Sequence, residues 1–524
     1  MRNFKTSASA LTLGAILSTS LILGGCGEKN KGESVKIEKV ATRTVNTGEA
    51  EQALKLMALT ESGAGNFTWS ARVGDSGNYM FSNLKAETKD GDKGVFGSLE
   101  LKGVHLEDEN PAFDQMIFRD FSATEDDGST VTFASITLTE PSPALTAAIT
   151  RSFNGDDDAF DNMEGDASFK ALSFAGLKID DEDGVLSMDS LKIGKSKDDT
   201  GYFSMHGLDM DMMSDGEKLI MKLGSFEVTG VNINKYQGLI KSAMDEAMDE
   251  GREVGADTMK ELMDSMNAHE PDYKNFSLNN LNMNFAGLKL NLDSVNGKIE
   301  KKDGKVIMSQ SMSPLTISPV AGTEEEDMKM FAEVLTSFGY DKLEFTLEQN
   351  SIIDEASETL VVTDSYIQMK DGFKLSYDLD VSGYKKFTEQ AAAAQSGGSL
   401  LNPLAAIGMA SSIEISKLRL ALHDDSIIDR YFKMSAKENN TTPDALKNEI
   451  KDILGQISME AQDEAQQKLA DALKNSVTKF LDDGGTLVFE MNPAEPVNPG
   501  SIAIGAMFGS IPDIAAMDIT VSTE

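Results

Sequence analysis

The feature that most constrains the fold is an alternation of apolar and polar residues that begins near Asn66 and returns through most of the chain. Phe67, Trp69, Ala71 and Val73 alternate with polar neighbours, and Tyr79, Phe81 and Leu84 follow. After the turn Lys89-Asp90-Gly91-Asp92-Lys93-Gly94 come Phe96, Leu99, Leu101 and Val104, then apolar runs within 117–121, 131–133 and 136–138. A strand sends successive side chains to opposite faces, so period two means one buried face and one wet face. Asp-Gly and Asn-Gly pairs between the runs suit hairpin turns. The pattern predicts an α+β fold. Its parts are repeated antiparallel β-meander sheets, curved or elongated, with covering helices and a helical insertion near the C-terminus.

Helical spacing is confined to a few stretches: residues 49–59, 145–153, 235–267, 324–338 and 384–394, then 443–457 and 459–481. In the last pair Pro443 stands at a first helical position after Thr442. Strands are expected at 219–233 and 360–381 as pairs, with 359–363 and 366–369 as separate pieces. Two short strands, 487–491 and 517–521, close the chain. Composition shifts and acidic loops divide it into 1–25, 26–34, 35–153, 167–320, 321–411 and 412–524. One hexapeptide recurs: Phe174-Ala175-Gly176-Leu177-Lys178-Ile179 returns as Phe285-Ala286-Gly287-Leu288-Lys289-Leu290. It suggests a repeated meander-plus-helix unit.

The stretch 239–266 carries an apolar stripe at helical spacing. Leu239, Met244, Met248, Met259, Met263 and Met266 lie on it and are the candidate ligand face, because methionine fits irregular partners. The alternative is that the stripe packs on a sheet. The chain has 28 methionines, many alternating with polar residues in strand-like runs.

Recognisable catalytic patterns are missing from the sequence. It has four histidines, His105, His206, His269 and His423, and no two are close. There is no His-x-x-x-His pair or cysteine cluster for zinc, no phosphate loop, no dinucleotide glycine pattern and no Gly-x-Ser-x-Gly elbow. Asp156-Asp157-Asp158, Asp90-Gly91-Asp92 and Asp180-Asp181-Glu182-Asp183-Gly184 offer oxygens, but none keeps the order of a calcium-binding helix-loop-helix. They read as solvated loops. His423-Asp424-Asp425 with Arg430 is the best polar cluster, and a structural role is expected for it. No cofactor, metal or catalytic residue is implied. A net charge of -38 opposes nucleic acid and anionic headgroups as partners.

The N-terminus has a pattern of its own. Arg2 and Lys5 precede a mostly apolar run from Ala8 to Leu23, which ends in Leu23-Gly24-Gly25-Cys26, and Cys26 is the only cysteine. The run is short for a membrane span. It resembles the signal peptide of a bacterial lipoprotein. That resemblance implies cleavage before Cys26, lipidation of Cys26, and a body tethered to a membrane by its acyl chains, two or more of which hold a protein stably. Gly27 rather than Asp follows the cysteine, which by the same resemblance points to the periplasmic face of the outer membrane. The mature part resembles YdgA-type envelope proteins of unknown function and AsmA-like proteins. The pieces concerned are Phe174 to Ile179, Phe285 to Leu290, residues 359–381 and the closing segment with Leu418-Arg419-Leu420 and Pro493-Ala494-Glu495-Pro496-Val497. AsmA-like relatives usually begin with a membrane span and are linked to lipid transport; this chain has a lipidation signal there.

Three functions follow as expectations. The first is a non-enzymatic binding or structural module of the envelope, which takes a lipid or an envelope protein as partner. The second is a carrier with a cavity lined by Met, Phe, Leu and Ile. The third is an envelope hydrolase with an enclosed cleft.

Overall fold

The computed structural model describes residues 43–87, 93–124, 128–156, 159–160, 163–165, 168–181, 184–196, 200–214, 217–231, 273–323, 325–388, 390, 408–459, 463–502 and 514–524. They fall into two compact units, residues 43–286 and 287–524. Both are α+β, and both are built on an open antiparallel meander.

The first unit opens with helix α1 (Thr47–Leu56), where the Asn46 side chain accepts the Gly48 N–H and Ala50, Ala53 and Leu54 are buried. Next come β1 (Phe67–Thr68), β2 (Ala71–Asp75), β3 (Asn78–Glu87) and β4 (Lys93–Lys102). The small hairpin of β5 (His105–Glu107) and β6 (Asn110–Ala112) stands apart as its own sheet. After β7 (Gln115–Thr124) and β8 (Thr130–Pro141), helix α2 (Pro143–Phe153) begins with Pro143 and a Ser142 cap on the Leu145 N–H. The unit ends with β9 (Phe169–Asp181), β10 (Gly184–Lys195), β11 (Gly201–Ser214), β12 (Glu217–Val231) and β13 (Asn275–Phe285). From β3 onward each strand of the large sheet pairs antiparallel with the next, while β1 and β2 share the other edge of β3. The apolar face of its first strands meets both helices in a core that includes Leu54, Tyr79, Phe81, Leu99, Ile149 and Phe153.

Two expectations change here. Residues 219–233 read as a strand pair, but Glu217–Val231 is one strand of 15 residues, about 50 Å at about 3.4 Å per residue. The strand continues through Gly224 without a turn. The hexapeptide repeat also separates into two structures. Phe174 to Ile179 lies inside β9, whereas Ala286 and Gly287 of the second copy form the turn that follows β13, with φ of 49° and 73°. The words match; the backbone does not.

The second unit contains β14 (Leu288–Lys302), β15 (Lys305–Pro319), helix α3 (Glu326–Ser337), β16 (Leu343–Asp354), β17 (Thr359–Met369), β18 (Phe373–Ser382) and β19 (Glu414–Asp424). The expected insertion follows as helices α4 (Ile427–Glu438), α5 (Pro443–Met459) and α6 (Glu464–Asp483). Then come β20 (Thr486–Met491), the short α7 (Ile514–Met517) and β21 (Ile519–Thr523). Strands β14 to β21 pair in chain order, all antiparallel. Residues 359–363 and 366–369, expected as two strands, are the single β17, whose register shifts between Val362 and Ser365. Arg430 on α4 donates from Nη1 to the carbonyls of Phe338 and Gly339 at 2.8 Å each and lies 4.3 Å from the Tyr340 ring centre, which closes the C-terminus of α3.

The edge strand β21 is sealed by α6. Thr486 and Glu524 exchange both backbone bonds, so alternation turns the carbonyls of Val521 and Thr523 outward. Ser476 Oγ donates to the first at 3.0 Å and Lys479 Nζ to the second at 3.4 Å, and Thr523 Oγ1 donates back to Ser476 O at 2.7 Å. A bare edge invites pairing with another chain, and this helix occupies it.

Candidate ligand-binding faces

In the first unit an apolar row crosses nine strands without a break. Phe81, Leu99, Phe118, Ile136, Phe174, Leu191, Met205, Phe226 and Leu278 stand opposite one another from β3 to β13. A second row runs beside it: Leu84, Phe96, Phe121 and Phe133 at one end, Leu208, Leu223 and Leu281 at the other. Between them Leu177 faces Met188. Aromatic rings contact along this line, with centroids 4.8 Å apart for Phe96–Phe121 and 5.0 Å for Phe121–Phe133.

The two rows are three residues apart on every strand, a spacing that in regular backbone would put them on opposite faces. A left-handed residue corrects this on every second strand. The sequences are Phe81-Ser82-Asn83-Leu84, Phe118-Arg119-Asp120-Phe121, Phe174-Ala175-Gly176-Leu177, Met205-His206-Gly207-Leu208 and Leu278-Asn279-Asn280-Leu281. Their third residues have φ of 52°, 53°, 62°, 64° and 55°. Asn, Asp and Gly tolerate this region best. The intervening strands bring Gly97, Ala134, Asp189 and Gly224 alongside. A methyl on Gly207 would lie 2.1 Å from Asp189 Oδ2, one on Gly176 2.8 Å from Ala134 Cβ, and one on Gly224 3.0 Å from Asn280 Cβ. The result is a transverse crease with one apolar face continuous across it.

In the second unit a polar depression of about 420 Å³ lies over the register shift of β17. Asp364, with φ of 49°, donates its N–H to Asp378 Oδ1 at 2.9 Å. Lys374 Nζ sits 4.0 Å from the Tyr366 ring centre, and Arg419 Nε contacts Glu490 Oε1 at 3.1 Å. Burial raises the pKa of the Tyr366 hydroxyl above its ordinary value, and the charge and hydrogen bond of Glu348 push it the same way. Ser365 is buried, but its Oγ accepts the Asn350 N–H and donates to Thr363 O, so the hydroxyl is committed to the strand. The lining is mixed in charge, with Glu348, Asp364 and Asp378 against Lys374 and Arg419.

The residues singled out from sequence fare differently. Cys26 and the candidate face Leu239, Met244, Met248, Met259, Met263 and Met266 lie outside the described residues, as does His269. His423 contacts Thr486 Oγ1 at 3.1 Å and Asp425 at 3.4 Å, Asp424 caps the Ile428 N–H, and Arg430 serves α3, so the cluster is spread over three local tasks. His105 is buried between the Gly103 carbonyl and Arg43, which also pairs with Asp114 at 3.0 Å. Asp181 of the acidic loop closes its own hairpin by accepting the Gly184 N–H at 2.9 Å. Among the described residues no helix is long and apolar enough to cross a membrane.

Sequence reasoning missed the crease. Its signal is a four-residue word, apolar-x-Asn/Asp/Gly-apolar, that recurs on alternate strands. Phe174-Ala175-Gly176-Leu177 is one instance, and its structural equivalents are the other four words above rather than the copy at Phe285.

Fold and faces together define an α+β protein of open, elongated meanders with a continuous apolar face and a sealed edge. A family model described as "Uncharacterized protein" matches residues 366–524, under a third of the chain, from within β17 to the C-terminus. No curated protein matches the chain.

Proposed function

We propose that the chain is a lipoprotein of the cell envelope, anchored through Cys26 and held at the periplasmic face of the outer membrane. Its body acts there as a non-enzymatic binding or structural module, with a lipid or an envelope protein as partner. The anchor rests on the sequence alone: Arg2 and Lys5, the apolar run and the sole cysteine. The body's role rests chiefly on one observation, the apolar row that crosses nine strands of the first unit. Phe81 and Leu99 of that row pack in the core with the two helices, and Leu191 and Met205 are buried as well, so an apolar partner is expected at the half-buried far end, where Phe226 and Leu281 lie. The depression of the second unit lacks the Met, Phe, Leu and Ile lining that a carrier predicts.

Two measurements test this. Cys26→Ser should move the protein from the membrane to the soluble fraction and abolish incorporation of a palmitate label; retention in the membrane with the serine would refute the anchor. Native mass spectrometry of the extracted protein should then show a bound lipid or a stoichiometric envelope partner. Turnover of an envelope polymer by the purified protein would overturn the non-enzymatic reading.

A further inference from the structure

Three methionines stand in direct register on three successive strands. Met210 of β11 faces Met221 of β12, and Met221 faces Met283 of β13. Among the described strands no other three are aligned in this way. The pairing around them is unbroken, and Leu208, Leu223 and Leu281 lie two residues away on each strand. All three thioethers therefore rise from the apolar face. All three are half-buried, so an ion can reach them. The charged neighbours alternate to the opposite face, where Lys222 pairs with Asp209 at 2.6 Å and Lys218 with Asp211 at 3.0 Å.

The donor type narrows the ion. Thioether sulfur is a soft, uncharged ligand that selects copper(I), while hard divalent ions take oxygen. The chain's one cysteine is Cys26, so every other sulfur in it is a methionine. No group of three His, Cys, Asp or Glu among the described residues is placed to hold a metal. Directly opposed Cβ atoms are about 4.5–5.5 Å apart, so the outer pair flanks the middle one closely. Methionine has three rotatable bonds, and three sulfurs can gather over the middle strand. We propose that Met210, Met221 and Met283 form a three-thioether site for a soft monovalent cation, copper(I). The site does not depend on the anchor, and it lies on the apolar face that the proposed function gives to a lipid or protein partner, beside Leu208, Leu223 and Leu281.

The test is a titration of the full chain with silver(I), a redox-inert probe, and with copper(I) under anaerobic conditions against a chromophoric chelator. One equivalent should bind, and the labelled methyl signals of Met210, Met221 and Met283 should shift together. Met221→Leu keeps volume and face. It should weaken binding by at least about tenfold, the loss that even an outer partner of a metal site brings. Met330→Leu, at an exposed position of α3 in the second unit, should leave binding unchanged. Met283→Leu serves as the second variant should Met221→Leu fail to fold by circular dichroism. Absence of stoichiometric binding, equal affinity in the leucine variants, or shifts at other methionines would overturn the site.

Discussion

Asn83, Asp120 and Asn280 carry the crease with side chains, where Gly176 and Gly207 carry it without. All five have positive φ. A left-handed L-residue costs roughly 1–2 kcal/mol, least for Asn, Asp and Gly. Asn83→Val should therefore destabilise the first unit by about 1–2 kcal/mol, while Asn83→Gly should be near neutral, read as urea midpoints. Equal midpoints for the two variants would show that the backbone there is not constrained. The sequence made the apolar partners of these residues legible, since Phe81, Leu84, Phe96 and Leu99 were all read as strand positions. The left-handed residue between them was not, because a single Asn or Asp looks the same in a strand as in a turn. Only its recurrence at the third place of the word distinguishes it. At Gly224 the missing side chain makes room for Asn280.

Elements were legible where period and punctuation agreed. Helix α2 starts two residues before the expected 145–153, because Ser142 caps it and Pro143 takes its first turn, and α5 begins at Pro443 as expected. Residues 359–369 were divided because Asp364 and Ser365 interrupt the alternation; the strand absorbs them as a register shift and continues. The sealing of β21 by α6 could not be seen in advance, since it joins Ser476 to Val521 through a backbone carbonyl. Ser476→Ala should cost about 1 kcal/mol for the lost bond. More tellingly, it should raise self-association in sedimentation velocity, because an outward carbonyl on an edge strand is freed for pairing. A strictly monomeric variant with unchanged stability would remove α6 from that protective role.

At the scale of the whole molecule, pairing follows chain order through both meanders, so most contacts between strands are made by consecutive elements. Stability in such arrays is largely a sum over neighbours. Residues 287–524 expressed alone should therefore fold, with a strand-rich far-ultraviolet spectrum and a cooperative urea transition; a chain that stays unfolded would show that this unit borrows its stability. The crease sets a rule for how such a sheet can change length. At the crease, left-handed residues sit on β3, β7, β9, β11 and β13, and the strands between them bring Gly97, Ala134, Asp189 and Gly224 alongside. Loss or duplication of one strand would set two strands of the same kind side by side. Two can be added or removed together with the order preserved. The sheet thus has a parity, and relatives that differ in length should differ by whole hairpins.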